Sequence, residues 1–95
     1  MNELKYVIVL PGCYSRDQIH HARAIIFNGL FTHKSIGEAA VSDSKGIILS
    51  AGFLNIGDNG LVKCYGNSTS LKVGSNPEFD QEICFNTLNR MHPYI

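Results

Sequence analysis

The sequence predicts a single α+β domain in which helices pack against one face of a mostly antiparallel sheet. Its 95 residues fit one domain, and residues 1–95 contain no linker or repeat. Apolar β-branched runs are interspersed with three helix-capping motifs, and short turns separate the runs in the second half of the chain. We therefore predict a two-layer domain with the order β, α, short α, β, β, β, α.

The first predicted strand is the run from Tyr6 to Leu10, in which every residue is apolar. Such a run is typical of a strand that is buried on both faces. Ser15 and Gln18 then form a Ser-x-x-Gln capping box, so the first helix is expected from about Arg16 to Asn28.

Two further capping boxes predict two further helices. Ser35-Ile-Gly-Glu38 favours a short helix near Ile36 to Val41. Ser75-Asn-Pro-Glu78 favours a last helix that runs to about Met91, with its proline in the first turn, where a missing N–H costs little.

Three strands are predicted between the second and third helices, at residues 46–56, 61–65 and 68–73. Gly66-Asn67 is a two-residue hairpin signal, which sets Tyr65 opposite Ser68 and Lys63 opposite Ser70. Gly52 of the preceding strand would lie opposite Tyr65. Val62, Cys64, Thr69, Leu71 and Val73 would then face the core.

Composition excludes several classes of function. The formal net charge is zero, so no global field attracts nucleic acid or an anionic membrane. No apolar run approaches the roughly 20 residues that a membrane span needs. Three cysteines without a Cys-x-x-Cys spacing, and no apolar targeting stretch, predict a cytoplasmic protein with reduced thiols.

The first candidate site is a strip on the first predicted helix, formed by Arg16, His20, Arg23 and Phe27. At about 100° per residue these side chains fall close together at one edge of the helix. Guanidinium, imidazole and aromatic groups suit a phosphate attached to a planar base. The alternative is that the arginine stems cover a core edge and that Phe27 is a core residue.

The second candidate site is a hydroxyl-rich, cationic patch on the predicted meander, formed by Lys63, Tyr65, Ser68 and Ser70, with Lys72 beside it. These side chains share one sheet face if the hairpin register holds. The alternative is an ordinary hydrated sheet face.

Apolar residues outside the predicted core indicate a partner surface. Ile25, Leu30 and Phe31 add apolar area to the first helix, and a second group falls on the sheet face expected to be exposed: Leu54, Ile56 and Leu61. We expect a homo-oligomer, although the second helix is an alternative cover, and a protein partner remains an alternative occupant.

No enzyme or metal motif of high specificity is present. Cys13 precedes a predicted helix N-terminus near Arg16, which would lower a thiol pKa, and His20 or His21 is a candidate base. The spacing does not match a phosphatase loop, so an inert cysteine is the simpler reading. The adjacent histidines do not share a helix face, and neither a metal site nor a cofactor is indicated.

The leading hypothesis is a small non-enzymatic intracellular binding or regulatory protein. It would hold a compact anionic ligand, either a nucleotide or another phosphorylated small molecule, and a sequestering accessory factor is one form of such a protein. The alternatives are a protein–protein interaction module that uses the apolar helix and sheet surfaces, and a thiol-dependent or phosphate-processing enzyme that uses Cys13.

Overall fold

The computed structural model describes residues 4–91. Its elements are β1 (Leu4–Leu10), a 3-10 helix (Arg16–His21), β2 (Arg23–Phe27), α1 (His33–Ser44), β3 (Ile47–Ile56), β4 (Val62–Tyr65), β5 (Asn67–Ser68), β6 (Val73–Gly74) and α2 (Pro77–Met91). A four-stranded antiparallel sheet has the order β2-β1-β3-β4, and β5 and β6 form a separate two-stranded sheet. The predicted fold class, an antiparallel sheet with helices packed against it, is confirmed.

One face of the sheet packs against α2 and holds the larger core. Directly opposite residues of an antiparallel pair point to the same face, so Tyr6 of β1 and its partner Ile26 of β2 share this face. The buried cluster there also includes Leu54, Cys64 and Cys84, the last of which comes from α2. We call this surface the α2 face.

The opposite face is covered by α1. Val7 and its partner Ala51 are fully buried on this face, and Ala40 of α1 is buried with them. Gly37 of α1 brings the helix close to the sheet, because a Cβ there would lie 3.7 Å from the side chain of Ile48. The helices therefore lie on both faces, which differs from the predicted packing on one face. We call this surface the α1 face.

The prediction of a helix from Arg16 to Asn28 is wrong beyond its first turns. The predicted capping box forms, since the backbone N–H of Ser15 donates to the side chain of Gln18. Ala22 then takes an extended conformation, and the next five residues form β2. This β-branched and aromatic segment pairs at every position with β1, which would otherwise lack a neighbour on that side.

The second helix is longer than predicted and begins earlier. Its N-cap is Thr32, whose side chain accepts a hydrogen bond from the backbone N–H of Ser35. Ser35 therefore lies inside the helix and is not its cap. The last helix begins at Pro77 and extends to Met91, in agreement with the prediction.

The predicted meander forms only in its first two strands. β3 and β4 pair, and Val62 and Cys64 face the core as expected, but Tyr65 lies opposite Phe53 and not opposite Gly52. This shift of one residue moves every β3 side chain to the other face. Leu54 is therefore fully buried, and the prediction that it belongs to an exposed apolar surface is wrong.

The third predicted strand is also wrong. Gly66 has φ +78°, a left-handed conformation that turns the chain out of the four-stranded sheet after Tyr65. Residues 69–72 then form the turn of the β5–β6 hairpin, so the predicted pairs of Tyr65 with Ser68 and of Lys63 with Ser70 do not form. This hairpin packs against β3.

Candidate functional site

The structure separates the residues of the first predicted strip. Arg16 and His20 belong to the 3-10 helix, whereas Arg23 and Phe27 belong to β2, four residues apart on the α1 face. Arg16, His20 and Arg23 are exposed, and Phe27 is half-buried. The four side chains therefore do not form one helical surface.

The second predicted patch is also divided. Lys63 is exposed and Tyr65 is half-buried, both on the α1 face of β4. Ser68 is buried, and its hydroxyl oxygen accepts a hydrogen bond from the backbone N–H of Leu71, while Ser70 is exposed in the hairpin turn. The hairpin borders a groove of about 400 Å³, lined by Asn67, Ser68, Thr69, Lys72, Val73 and Gly74.

Phe27 and Tyr65 meet a different set of partners, an aromatic row across the α1 face. Phe53 stacks on Tyr65 with ring centroids 6.0 Å apart, and His33 lies edge-on to Phe27 at 5.7 Å and to Phe53 at 5.3 Å. The Nε2 of His33 is 2.7 Å from the backbone oxygen of Gly52. A carbonyl only accepts, so Nε2 carries the proton, and His33 is a structural residue that fixes α1 on the sheet.

A small cleft joins the 3-10 helix to the end of α2. It measures about 90 Å³ and is lined by His20, Ala22, Ile83, Asn86, Thr87 and Arg90. The capping box at Ser15 starts the 3-10 helix that presents His20, while α2 packs against β2 and brings its last turn to the same place. His20 was predicted as a ligand residue; Arg90 was not.

The chemistry of this cleft suits an anion. Within residues 4–91 its lining contains an arginine, an imidazole and an amide but no carboxylate. Among the described residues Arg90 has no hydrogen bond or ion pair. Thr87 donates its hydroxyl proton to the carbonyl oxygen of Ile83, 3.0 Å away, so its oxygen can only accept from a ligand. The donors for an oxyanion are therefore Arg90, Asn86 and His20.

A stacked pair of rings, Tyr14 and His21, lies beside His20, whose own ring is tilted by 43° relative to His21. Tyr14 and His21 are nearly parallel, with an interplanar angle of 4° and ring centroids 4.1 Å apart, and His21 lies 4.2 Å from His20. This stack restricts where the imidazole of His20 can point within the cleft. Both histidines were candidates from the sequence, whereas Tyr14, whose ring packs back from the loop after β1, was not predicted.

The most buried polar group lies elsewhere, in the core. Asp80 of α2 is fully buried and accepts hydrogen bonds from the hydroxyls of Tyr6 and Ser50 and from the backbone N–H of Asn76. Burial and the contact with Asp80 raise the pKa of Tyr6 well above its usual range. Both carboxyl oxygens have partners, so this cluster is a structural link between β1, β3 and α2.

The three cysteines are free thiols in different environments. Cys13 is exposed and has no hydrogen bond to a histidine in the part of the chain that the structure describes. Cys64 and Cys84 are buried free thiols, and their mutual hydrogen bond together with burial raises the pKa of Cys84. Within residues 4–91 no three histidine, cysteine, aspartate or glutamate side chains are grouped to hold a metal ion.

The comparisons with known proteins do not assign this chain to a family. Among the described residues, none of the helices has the length and apolar character needed to cross a membrane. The chain matches no family model, no curated protein and no solved structure.

Proposed function

We propose that this chain is a small non-enzymatic cytoplasmic binding or regulatory protein that holds a compact oxyanion between His20 and Arg90. The observation that supports it is the cleft itself, in which Arg90 lies near the imidazole of His20 and neither Arg90 nor the lining has a carboxylate partner among the described residues. Arginine binds phosphate oxygens through two parallel hydrogen bonds, which suits a phosphate or a similar group.

The size of the cleft limits what enters it. A single water needs about 10–15 Å³ of such space. A cleft of about 90 Å³ therefore suits one phosphate-sized group and not a whole nucleotide. His20 belongs both to the cleft and to the ring stack, so a planar base attached to that phosphate would lie close to an aromatic surface. We propose a nucleotide or another phosphorylated small molecule as the ligand class.

The test is a titration with inorganic phosphate and with a nucleoside triphosphate, followed by NMR of the backbone amides and of the arginine side chains. We expect Arg90→Gln to weaken binding about tenfold or more, because a hydrogen bond to a charged group contributes about 1.5–3 kcal/mol. His20→Asn should weaken it less. Lys34→Gln is the matched control, since it removes the same charge from an exposed position on α1.

The variants separate three outcomes. Binding that is unchanged in Arg90→Gln would contradict the cleft proposal. An equal loss in Lys34→Gln would mean that only net charge matters. A loss in Arg16→Gln and Arg23→Gln, without a loss in Arg90→Gln, would return the ligand to the strip that the sequence predicts.

We also propose that the chain self-associates. The observation that favours this is the loop after β2, where Leu30 is 89 % exposed and Phe31 is 52 % exposed side by side. Adjacent exposed apolar side chains of this size commonly mark a partner surface. An independent protein partner is the alternative, and its candidate surface is a groove of about 320 Å³ that includes Leu61 and Phe85.

A further inference from the structure

The two edges of the sheet differ in how they are protected. β2 forms one edge, and its five residues pair with β1 without a register shift. None of the described residues forms a hydrogen bond with the outer side of β2. A regular strand with an unpaired outer row of N–H and C=O groups is a template for another strand.

The other edge, β4, is blocked by α2. The backbone N–H of Cys64 donates to the side-chain oxygen of Gln81 on α2, at 3.1 Å. Glu78 and Phe85 of the same helix line one groove with Val62, so α2 runs along this edge. A strand from outside would have to displace the hydrogen bond between Cys64 and Gln81 and move past α2. Among the residues that the structure describes, β2 is therefore the edge left open for pairing.

β2 also lacks the features that usually prevent edge pairing. It contains no proline and no bulge, and Arg23 at its first position is its only charged residue. The remaining four residues, Ala24 to Phe27, are apolar and half-buried. Natural edge strands that stay unpaired commonly carry a lysine, a proline or a bulge at such positions.

We propose that two copies of this chain pair antiparallel through β2, with Ile25 on the two-fold axis. This register pairs all five residues of each strand and keeps the α1 faces of the copies on the same side. It sets Arg23 opposite Phe27 of the second copy, where the guanidinium can lie over the ring. On the α2 face, Ala24 lies opposite Ile26 of the second copy.

One open edge in the described part of the chain predicts a closed dimer. The two-fold contact uses the same strand on both copies, and the blocked β4 edges then lie at the outer ends of an eight-stranded sheet. A fibre would need two compatible edges on each copy. The inference rests on the self-association proposed above and is independent of anion binding.

The same register provides a cover for the exposed loop. Continued beyond the strand, it sets Asn28 opposite Ala22 of the second copy, so Leu30 and Phe31 approach the 3-10 helix of that copy. Leu30 is 89 % exposed in the single chain and would gain a neighbour there. The dimer thus brings the exposed loop of one copy beside the His20–Arg90 cleft of the other.

The experiment is sedimentation velocity over a concentration series. We expect the wild-type chain to dimerise and Ile25→Lys to raise the dimer dissociation constant at least tenfold, because two ammonium groups would meet on the axis. Circular dichroism checks that this variant is folded. A second pair of variants tests the interface without introducing a charge. Cys13→Ser/Ile25→Cys should form a disulfide-linked dimer on oxidation, because the Cβ atoms of position 25 in the two copies would lie directly opposite each other, about 4.5–5.5 Å apart. Cys13→Ser/Lys63→Cys, on the blocked edge, should not.

The outcomes distinguish the proposals from one another. A wild-type chain that stays monomeric at every concentration overturns both self-association and the β2 interface. A dimer that cross-links through position 63 and not through position 25 overturns the interface alone. Phosphate binding can be measured separately in a monomeric Ile25→Lys variant. Failure of the anion-binding proposal is therefore distinguishable from failure of the β2 interface.

Discussion

Replacement of Asp80 by alanine tests whether this carboxyl group holds the two ends of the fold together. Asp80 is fully buried on α2 and accepts three hydrogen bonds: from the Tyr6 hydroxyl on β1, from the Ser50 hydroxyl on β3 at 2.6 Å, and from the Asn76 backbone N–H at 2.8 Å. Alanine would leave both hydroxyls buried without an acceptor.

The expected loss follows from this count. A buried polar group left without a partner costs about 1–3 kcal/mol, so two hydroxyls predict roughly 2–6 kcal/mol. Removing Asp80 also removes the cost of burying that carboxyl group, which offsets part of the loss. We expect a net decrease of about 3 kcal/mol in the free energy of unfolding, against a total of about 5–15 kcal/mol for a typical domain.

Urea unfolding followed by circular dichroism measures this decrease, provided that the slope with urea is unchanged. Glu82→Ala is the matched control, because it removes an exposed acidic side chain from the same helix and should change stability by less than about 0.5 kcal/mol. A double-mutant cycle with Tyr6→Phe should show coupling of about 1–2 kcal/mol. Additivity of the two substitutions would refute the reasoning, because it would mean that Tyr6 and Asp80 do not interact.

Three further predictions concern single contacts. Thr32→Ala removes the N-cap of α1 and should cost about 1 kcal/mol in urea unfolding; no change would mean that another group caps the helix. Gly52→Ala places a Cβ 2.5 Å from a backbone oxygen of β4 and should cost about 1–3 kcal/mol, whereas Gly29→Ala, with no atom within 4 Å, should be neutral or slightly stabilising. Equal effects of the two glycine substitutions would contradict the packing at Gly52. The pKa of Tyr6 is raised in the folded state, so above about pH 10 the folded state keeps a proton that the unfolded state loses. Above that pH this residue lowers the free energy of unfolding by up to about 1.4 kcal/mol per pH unit. Urea unfolding across that range should show a shallower fall in Tyr6→Phe, and identical slopes would exclude this role.

The parts of the fold that the sequence predicted correctly depend on local patterns. The continuous apolar run of β1 and the alternation of Val62 and Cys64 in β4 define buried faces without reference to the rest of the chain. The proline near the start of α2 marks its beginning, because proline is favourable in a first helical turn and unfavourable later.

β2 could not be assigned from its own residues. Ile19, Ala22, Ile26 and Leu30 have helical spacing, and the segment from Arg23 to Phe27 also has the β-branched and aromatic composition of a strand. Pairing with β1 decides between the two, and that contact is not visible in the local sequence. Leu54 was assigned to the wrong face for a similar reason. The chain leaves the four-stranded sheet at Gly66, so the turn there does not fix the register of β4 against β3.

The candidate cleft was half predictable for the same reason. His20 stood out because it lies among arginines after a strand and a capping box. Arg90 comes from the other end of the chain and reaches the cleft only because α2 crosses to β2. No spacing rule links two residues that meet through the packing of a helix on a sheet.

The hydrogen bond between Tyr6 and Asp80 also has a consequence for synthesis on the ribosome. The two residues are separated by 74 positions, and the Ser50 hydroxyl depends on the same acceptor. A nascent chain that can already pair β1 with β3 still lacks the carboxyl group that their buried hydroxyls need. We therefore expect the sheet to reach its final packing only after α2 has emerged from the exit tunnel. Until then, chaperones can bind the incompletely packed intermediates.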